Sequence, residues 1–340
     1  MSKTILIYET MSIEISVCMA TWCRKDYLSI IIDALEKQTL PQNKYEIMVC
    51  DSYSNDGTDL LMNELCAKYK NLKYINTDKN VLAVKRNICI EAAIAPIVVL
   101  MDDDVFPTDK FLEAHLSAHK GVKNTVFCGQ VRFPEEWVKS SNYYKYRDSC
   151  HLNEKHRDVY KNLPFNKIVV MNMSFKKNEI LNKVGLFCEK FIGYGGEDTE
   201  FGYRIWKSGM KLVYLKEALV YHREKSPSII SFGEKYFRSG RDGAKVLNLI
   251  NPDILRNTQL VYFEDSLLNK SILFKFKKTI YRIFVNKTIA NIVGFFLIKT
   301  DRISFLYNAK LYRYYLAYKF KEGKLAQKDM SLPPDDVKSG

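Results

Sequence analysis

Short, dense apolar runs alternate with longer amphipathic stretches through the first third of the chain, the pattern of strands and helices taken in turn. Ile13–Ala20 reads as a strand and Asp26–Lys37 as an amphipathic helix. Tyr45–Asp51 is a second strand, Thr58–Tyr69 a second helix, and Leu72–Asn76 a short strand. Val81–Ala95 reads as helical. Pro96 then starts a β-branched run, Ile97–Met101, of strand length. Regular β-α-β alternation predicts a mostly parallel sheet covered by helices. The handedness of such crossovers puts Thr21, Asp51 and Asp102–Asp104 along one edge, where open α/β sheets bind ligands.

After residue 120 the pattern is mixed. Thr125–Phe133 and Lys167–Phe175 read as strands. Between them Trp137–Asn166 is polar and aromatic, with Tyr143, Tyr144, Tyr146, His151 and His156 and no clear period. It predicts a long acceptor-side loop or lid, since loops of that length are usually functional. Gly195–Gly209 opens a helix, and Leu212–Tyr214 and Ala218–His222 return to strand. The last ten residues, with Pro333 and Pro334, read as disordered.

Composition narrows this picture. The 340 residues, 47% of them hydrophobic, suffice for one large domain and an extension. Residues 1–12 show no basic-then-apolar leader. Eight cysteines without a CxxC pair read as reduced, mostly buried thiols of a cytosolic protein. The formal net charge of +13 is concentrated: residues 270–324 hold thirteen Lys/Arg against Asp301 and Glu322. A basic segment of this kind calls for an anionic partner or surface.

Three consecutive carboxylates, Asp102, Asp103 and Asp104, end a buried strand. Like charges so close repel and desolvate poorly unless a cation relieves them, and a divalent ion would do so. The alternative is a solvated loop start or a helix cap before Thr108. Asp51 precedes Ser52–Asp56, Gly57 and Thr58, a turn followed by a helix N-cap at Thr58. Asp51 either accepts a hydrogen bond from a ligand or caps that turn. Lys85, Arg86 and Asn87 open a helix with a point charge, a fork and an amide, suited to a diphosphate or to a solvated face. Gly193, Gly195 and Gly196 lead into Glu197, Asp198 and Glu200. A carboxylate at a helix start beside a glycine-rich wall suits a general base, and equally an acidic cap.

Met19–Arg24, Asp51–Thr58, Lys85-Arg86-Asn87, Asp102-Asp103-Asp104, Asn172–Phe175 and Gly195–Asp198 stand in the order and spacing of glycosyltransferase family 2, which the chain resembles over roughly residues 13–225. The stretch through Phe201, Tyr203 and Arg204 is similar to the galactosyltransferase-type C-terminal motif of bacterial chondroitin and hyaluronan polymerases. Each motif is weak alone; their order carries the resemblance. It implies a GT-A fold: an α/β, Rossmann-like, mostly parallel central sheet flanked by helices. A nucleotide-sugar half (13–120) and an acceptor half (121–225) would form a domain over 1–225. A helical, basic and aromatic extension would follow over 226–330, then a disordered tail over 331–340.

The resemblance also implies roles. Thr21 and Asp51 would contact the nucleotide base, and Lys85 and Arg86 the ribose or pyrophosphate. Asp102 and Asp103 would belong to the nucleotide-sugar site. Asp104, with His222, would hold Mn²⁺ or Mg²⁺. Asp198 would be the catalytic base, with Gly195, Gly196 and Glu197 facing donor sugar and acceptor. His222 at a strand end is as readily structural as a ligand. The chain departs from the family at Ala20, where proline is usual, and at Cys23, where asparagine is usual. Ser52 and Tyr53 replace a second acid and a glycine.

The implied activity is inverting, metal-dependent transfer of a hexose or N-acetylhexosamine from a UDP-sugar. The acceptor would be a lipid-linked or polysaccharide hydroxyl in bacterial surface glycan synthesis. A sugar-phosphate nucleotidyltransferase shares such a sheet but wants a glycine-rich basic loop, and Met19–Lys25 has no glycine. A non-catalytic scaffold has no need to keep both the aspartate triplet and Asp198.

In the extension, Leu273, Phe276, Ile280 and Ile283 would share one helix face, opposite Lys275, Lys278 and Arg282. Tyr307, Leu311, Tyr314 and Tyr318 would form an aromatic stripe near Lys310, Arg313, Lys321 and Lys324. Thr288–Ile298, the longest uncharged stretch, falls short of the ~20 apolar residues of a membrane span. Basic amphipathic helices suit an anionic membrane surface, here the inner face of the plasma membrane. A helical cap on the core, or pairing of protomers, are the alternatives. Nothing beyond basicity points to nucleic acid.

Overall fold

The computed structural model describes residues 12–151, 162–224, 227–256, 276, 279 and 283–327. The chain divides into two compact units, one of Met1–Glu189 with Glu197–Lys225, the other of Lys190–Gly196 with Ser226–Gly340.

The first unit is built on β1 (Ile15–Ala20), α1 (Lys25–Glu36), β2 (Tyr45–Asp51), α2 (Thr58–Lys68), β3 (Leu72–Asn76), α3 (Leu82–Ala92), β4 (Ile97–Asp102) and β5 (Val105–Pro107). There follow α4 (Phe111–Ala118), β6 (Thr125–Arg132), α5 (Glu135–Ser140), α6 (Asn142–Cys150), β7 (Asn172–Lys176), α7 (Lys177–Lys183), α8 (Glu197–Lys207) and β8 (Lys211–His222). The strands form a sheet in the order β3-β2-β1-β4-β7-β6-β8-β5. β1 pairs in parallel with β2 and β4, β2 with β3, and β6 with β8. β7 runs antiparallel to β4 and β6, and β5 antiparallel to β8. The expected parallel sheet is thus β3-β2-β1-β4; the remainder is mixed.

Both faces of the sheet are covered, which is why its strands read as continuous apolar runs. One face packs Leu28, Ile31, Ile32 and Leu35 of α1 against Val17, Ile47 and Val99. The other packs Ile90, Phe175 and Phe201 against Val98 and Leu100. Burying each such side chain contributes about 1.5–3 kcal/mol.

Trp137–Asn166 is not one long loop. α5 and α6 occupy its first part, and 152–161, with His156, lie outside the described residues. The helices escaped notice because only Asn142, Tyr143, Tyr146 and Arg147 of α6 are buried, so no apolar stripe marks it. Ser141 caps α6 by accepting from Tyr144 N. Arg132 Nε holds Asp148 at 2.9 Å. The N-cap of α2 is Gly57 in the left-handed region (φ +83), not Thr58. Thr58 instead donates its backbone N and hydroxyl to Asp56 at 3.2 and 2.6 Å.

The second unit is helical where described: α9 (Ile229–Arg238), α10 (Ala244–Ile250), α11 (Pro252–Arg256), α12 (Lys287–Lys299) and α13 (Ala309–Ala326). α9 and its continuation approach α13 through glycine. A Cβ on Gly323 would lie 1.9 Å from Phe237 O, and one on Gly240 2.2 Å from Phe320 O. The amphipathic helix expected over 271–285 falls largely outside the described residues, and the terminal ten residues wholly so. Phe276 and Ile283, from its expected apolar face, are exposed. The aromatic stripe is turned partly inward. Tyr318 packs with Val285 and Ala290, and Tyr314 donates to Phe284 O at 2.7 Å.

Candidate active site

Strand register assembles the site. Ala20 pairs with Cys50 on one side and Asp102 on the other, so Thr21, Asp51 and Asp103 leave three adjacent strands at one level. β5 pairs Val105 with His222, which brings Asp104 to the end of β8. Arg223 N donates to Asp104 O at 2.9 Å there.

Thr21 Oγ1 donates to Asp103 Oδ2 at 2.7 Å. Arg24, which motif reading did not assign, stands 3.8 Å from Asp103 and 3.4 Å from Asp104. Burial, then the neighbouring Asp104, push the Asp103 carboxyl up to about 7. Lys85 Nζ donates to Thr21 O at 2.8 Å and Asn80 Oδ1 at 2.9 Å. Burial pulls its ammonium below the usual lysine range.

Asp51 is fully buried and richly satisfied. It accepts from Ser52 N (2.7 Å), Ser54 N (3.0 Å), Ser54 Oγ (2.6 Å) and Tyr74 Oη (2.9 Å). These bonds build the β2–α2 turn. Cys23 (φ +53) and Tyr53 (φ +50) take left-handed backbone on the two loops rimming the site. They are the positions where the family prefers asparagine and glycine, residues that adopt this region at less cost.

Arg86 is the centre of charge. Its Nη1 lies 2.7 Å from Asp198 Oδ1 and 3.6 Å from Glu197 Oε1, and its Nη2 lies 3.1 Å from Asp102 Oδ1. Its side chain is 5% exposed. Burial opposes its charge, but Asp198, Asp102 and Glu197 more than restore it. One guanidinium therefore joins the strand-end aspartate to the helix-start carboxylates. Burial, then Asp198, push Glu197 up to about 7, and its buried Oε2 has no hydrogen-bond partner. Asp198, 40% exposed, keeps a face open. Gly195 (φ +82) and Gly196 (φ +103), which precede Glu197 in sequence, pack within the second unit. A Cβ on Gly195 would meet Ser239 Oγ at 2.9 Å, and one on Gly196 would meet Phe191 at 2.7 Å.

His222 Nε2 stands 3.4 Å from Asp104 Oδ1, its ring stacked on Phe133 at 5.1 Å. Its buried Nδ1 has no hydrogen-bond partner. A carboxylate oxygen and an imidazole nitrogen so placed fit a borderline divalent cation. Among the described residues no group of three His, Cys, Asp or Glu gathers at one metal-sized point. Behind His222, Glu224 accepts from Arg147 Nη2 and Tyr143 Oη, both at 2.6 Å. Burial alone would raise Glu224; Arg147 overrides it and holds the carboxyl near 2. His151 follows α6, its ring centroid 6.2 Å from that of His222. Tyr143 and His151 stood out in the sequence but their partners did not, because α6 and the end of β8 are far apart along the chain.

Two motifs prove to be scaffold. Asn172 donates to Gln130 O (3.0 Å) and Ala218 O (2.9 Å) and meets His115 Nε2 at 3.0 Å. Ser174 bridges His115 and His119. Asn87 clamps Phe187 through both backbone N and O, each at 2.9 Å.

Comparisons with known proteins show glycosyltransferases. Residues 16–178 match the model of glycosyl transferase family 2, and residues 151–225 match that of the N-terminal domain of galactosyltransferase. Glycosyltransferase AglE of Haloferax volcanii is 25% identical over 68% of this chain and 73% of its own length. Chondroitin synthase of Escherichia coli is 24% identical over 62% of this chain. The match spans only 34% of that relative. For the hyaluronan synthase of Pasteurella multocida, 22% identical over 77% of this chain, it spans 29%. In fold, the chain is similar to the mannosyltransferase PcManGT from Pyrobaculum calidifontis, solved with GDP-Man and Mn²⁺. That likeness has a TM-score of 0.56 at 16% identity and covers 93% of this chain and 88% of that one.

Proposed function

We propose that this chain, a glycosyltransferase carrying a family 2 domain, moves a hexose or N-acetylhexosamine from a UDP-sugar to a glycan or lipid-linked hydroxyl, with inversion. The observation that carries the reading is Arg86, which holds Asp102 and Asp198 on one guanidinium. The donor's diphosphate end and the acceptor's base thereby share one small site.

Thr21, Asp51 and Asp103 line the nucleotide end of this site, and Lys85 and Arg86 supply cationic charge beside the diphosphate. Asp104 and His222 would hold Mn²⁺ or Mg²⁺, which when bound neutralises charge on the departing diphosphate. Asp198 accepts the acceptor hydroxyl's proton as its oxygen bonds C1 and the C1–phosphate oxygen bond breaks. A single in-line displacement inverts the anomeric carbon. Glu197, held toward its neutral form, can donate a hydrogen bond to a sugar hydroxyl.

The relatives named for chondroitin and hyaluronan synthesis support a polysaccharide acceptor, and the basic second unit supports an acceptor at an anionic membrane surface. Use of a nucleotide donor favours the inner face. No described helix is long and apolar enough to cross a membrane. The test is UDP release from a panel of UDP-hexoses and UDP-N-acetylhexosamines with added glycan acceptors. Asp198→Asn should abolish turnover while UDP binding persists; full turnover in that variant would remove Asp198 as the base.

A further inference from the structure

α12 is seated by a narrow seam. Ala290, Gly294 and Leu297 are buried, and a Cβ on Gly294 would come within 2.8 Å of the Tyr315 ring. Small residues at this seam let α12 lie close against α13. The opposite surface is apolar and bare. Ile292 is 64% exposed, Phe295 63% and Ile298 49%, and in the turn that follows Phe305 is 84% exposed. Single exposed apolar residues need no explanation, but a continuous set on one helix and its following turn does.

Charge identifies what covers it. Lys287, Lys299, Arg302, Lys310 and Arg313 are exposed on the same stretch of chain, and Asp301 is the one acidic residue between Asn286 and Lys321. Lys299 Nζ lies 5.6 Å from the Phe295 ring centroid, its apolar stem lying along the patch as a snorkelling lysine's does. Asn286 caps α12 through Ile289 N at 3.0 Å, and the helix is seated through Ala290, Gly294 and Leu297. An apolar ridge with these cations on the same stretch of chain matches the acyl boundary beneath anionic headgroups. A second copy of the chain would bring like charges together.

We propose that α12 and the Phe305 turn form a membrane-insertion wedge: Ile292, Phe295 and Phe305 enter the acyl region of an anionic bilayer, and Lys299, Arg302 and Lys310 bind its headgroups. This deepens the membrane contact inferred above by giving it a surface, and it replaces the aromatic stripe Tyr307, Leu311, Tyr314 and Tyr318, which is turned partly inward, as the lipid-facing element. The wedge makes no use of donor or metal.

The test is sedimentation of the full chain with vesicles, without nucleotide or metal, so that failure of the wedge and failure of the glycosyl-transfer reading are separate results. The chain should sediment with vesicles of mixed phosphatidylcholine and phosphatidylglycerol and poorly with phosphatidylcholine alone. Joint Phe295→Ser and Phe305→Ser substitution should weaken binding at least about tenfold, because both side chains are exposed and their loss leaves the packed seam intact. In the full chain, Phe305→Trp should shift indole emission to the blue and be quenched by brominated-chain lipid. Three results would overturn the proposal: no sedimentation with anionic vesicles, sedimentation indifferent to the double substitution, or a dimer without vesicle binding that the double substitution dissolves.

Discussion

Replacing Arg86 by methionine removes the cation shared by three carboxylates. The side chain is nearly buried, with partners at 2.7, 3.1 and 3.6 Å. Opposite charges about 4 Å apart in an environment of effective dielectric about 20 attract by about 4 kcal/mol. Methionine fills much of the volume, so the cost is mainly electrostatic: three acids left without a counter-charge. Breaking a buried pair by removing one partner costs about 3–5 kcal/mol, and that is the loss expected for Arg86→Met at pH 8. The sign of the pH dependence follows from protonation. Asp102 and Glu197 already titrate above their ordinary range in the fold. Without Arg86 they rise further, so the folded state binds more protons than the unfolded one. Stability of the variant therefore falls as pH rises from about 4.5, and the gap to wild type narrows toward pH 5. Urea unfolding followed by circular dichroism at pH 5 and pH 8, with slopes compared, reads both quantities. A variant within about 1 kcal/mol of wild type at pH 8, or one equally impaired at both pH values, would refute the account of Arg86.

Two further predictions rest on separate parts of the first unit. Glu197→Gln should stabilise the protein by about 1–3 kcal/mol at pH 8 and leave it nearly unchanged at pH 4, because the raised carboxyl pKa lowers stability as pH climbs from about 4.5 to about 7. Thermal melts across that range check it, and a uniform effect would count against it. Asn172→Ala should cost about 3–5 kcal/mol, since Gln130 O, Ala218 O and His115 all lose a buried partner. The midpoint of urea unfolding measures this; a near-neutral result would mean that other groups satisfy the network.

The N-terminal half was legible because its periodicity is clean and its strands end in polar and acidic residues. Tyr45–Asp51 and Leu72–Asn76 appear with the expected bounds, and register then carries Thr21, Asp51 and Asp103 to one level. Three things were hidden. The antiparallel insertion of β7 between β4 and β6 leaves no local trace, because a strand buried on both faces reads alike in either direction. α6 is held by Arg147, Asp148 and Ser141 and not by an apolar stripe, so its helical period is invisible in a hydrophobic pattern. In the second unit the sequence showed where the charge lies but not which surface is bare. Within the uncharged stretch Thr288–Ile298 nothing in the sequence separates Gly294 from Phe295; the close approach of Tyr315 to Gly294 and the exposure of Phe295 do. Cys23 and Tyr53 read in the sequence only as departures from a family pattern; that both take left-handed backbone is visible only in the structure.

The central claim is a nucleoside-diphosphate-sugar site whose metal rests on Asp104. Isothermal titration of UDP, GDP and CMP into the wild-type chain and Asp104→Ala, with and without Mn²⁺, tests it most directly. UDP should bind the wild type only with Mn²⁺, and Asp104→Ala should abolish this binding. Absence of binding by every nucleotide, or UDP binding indifferent to both metal and Asp104, would contradict it.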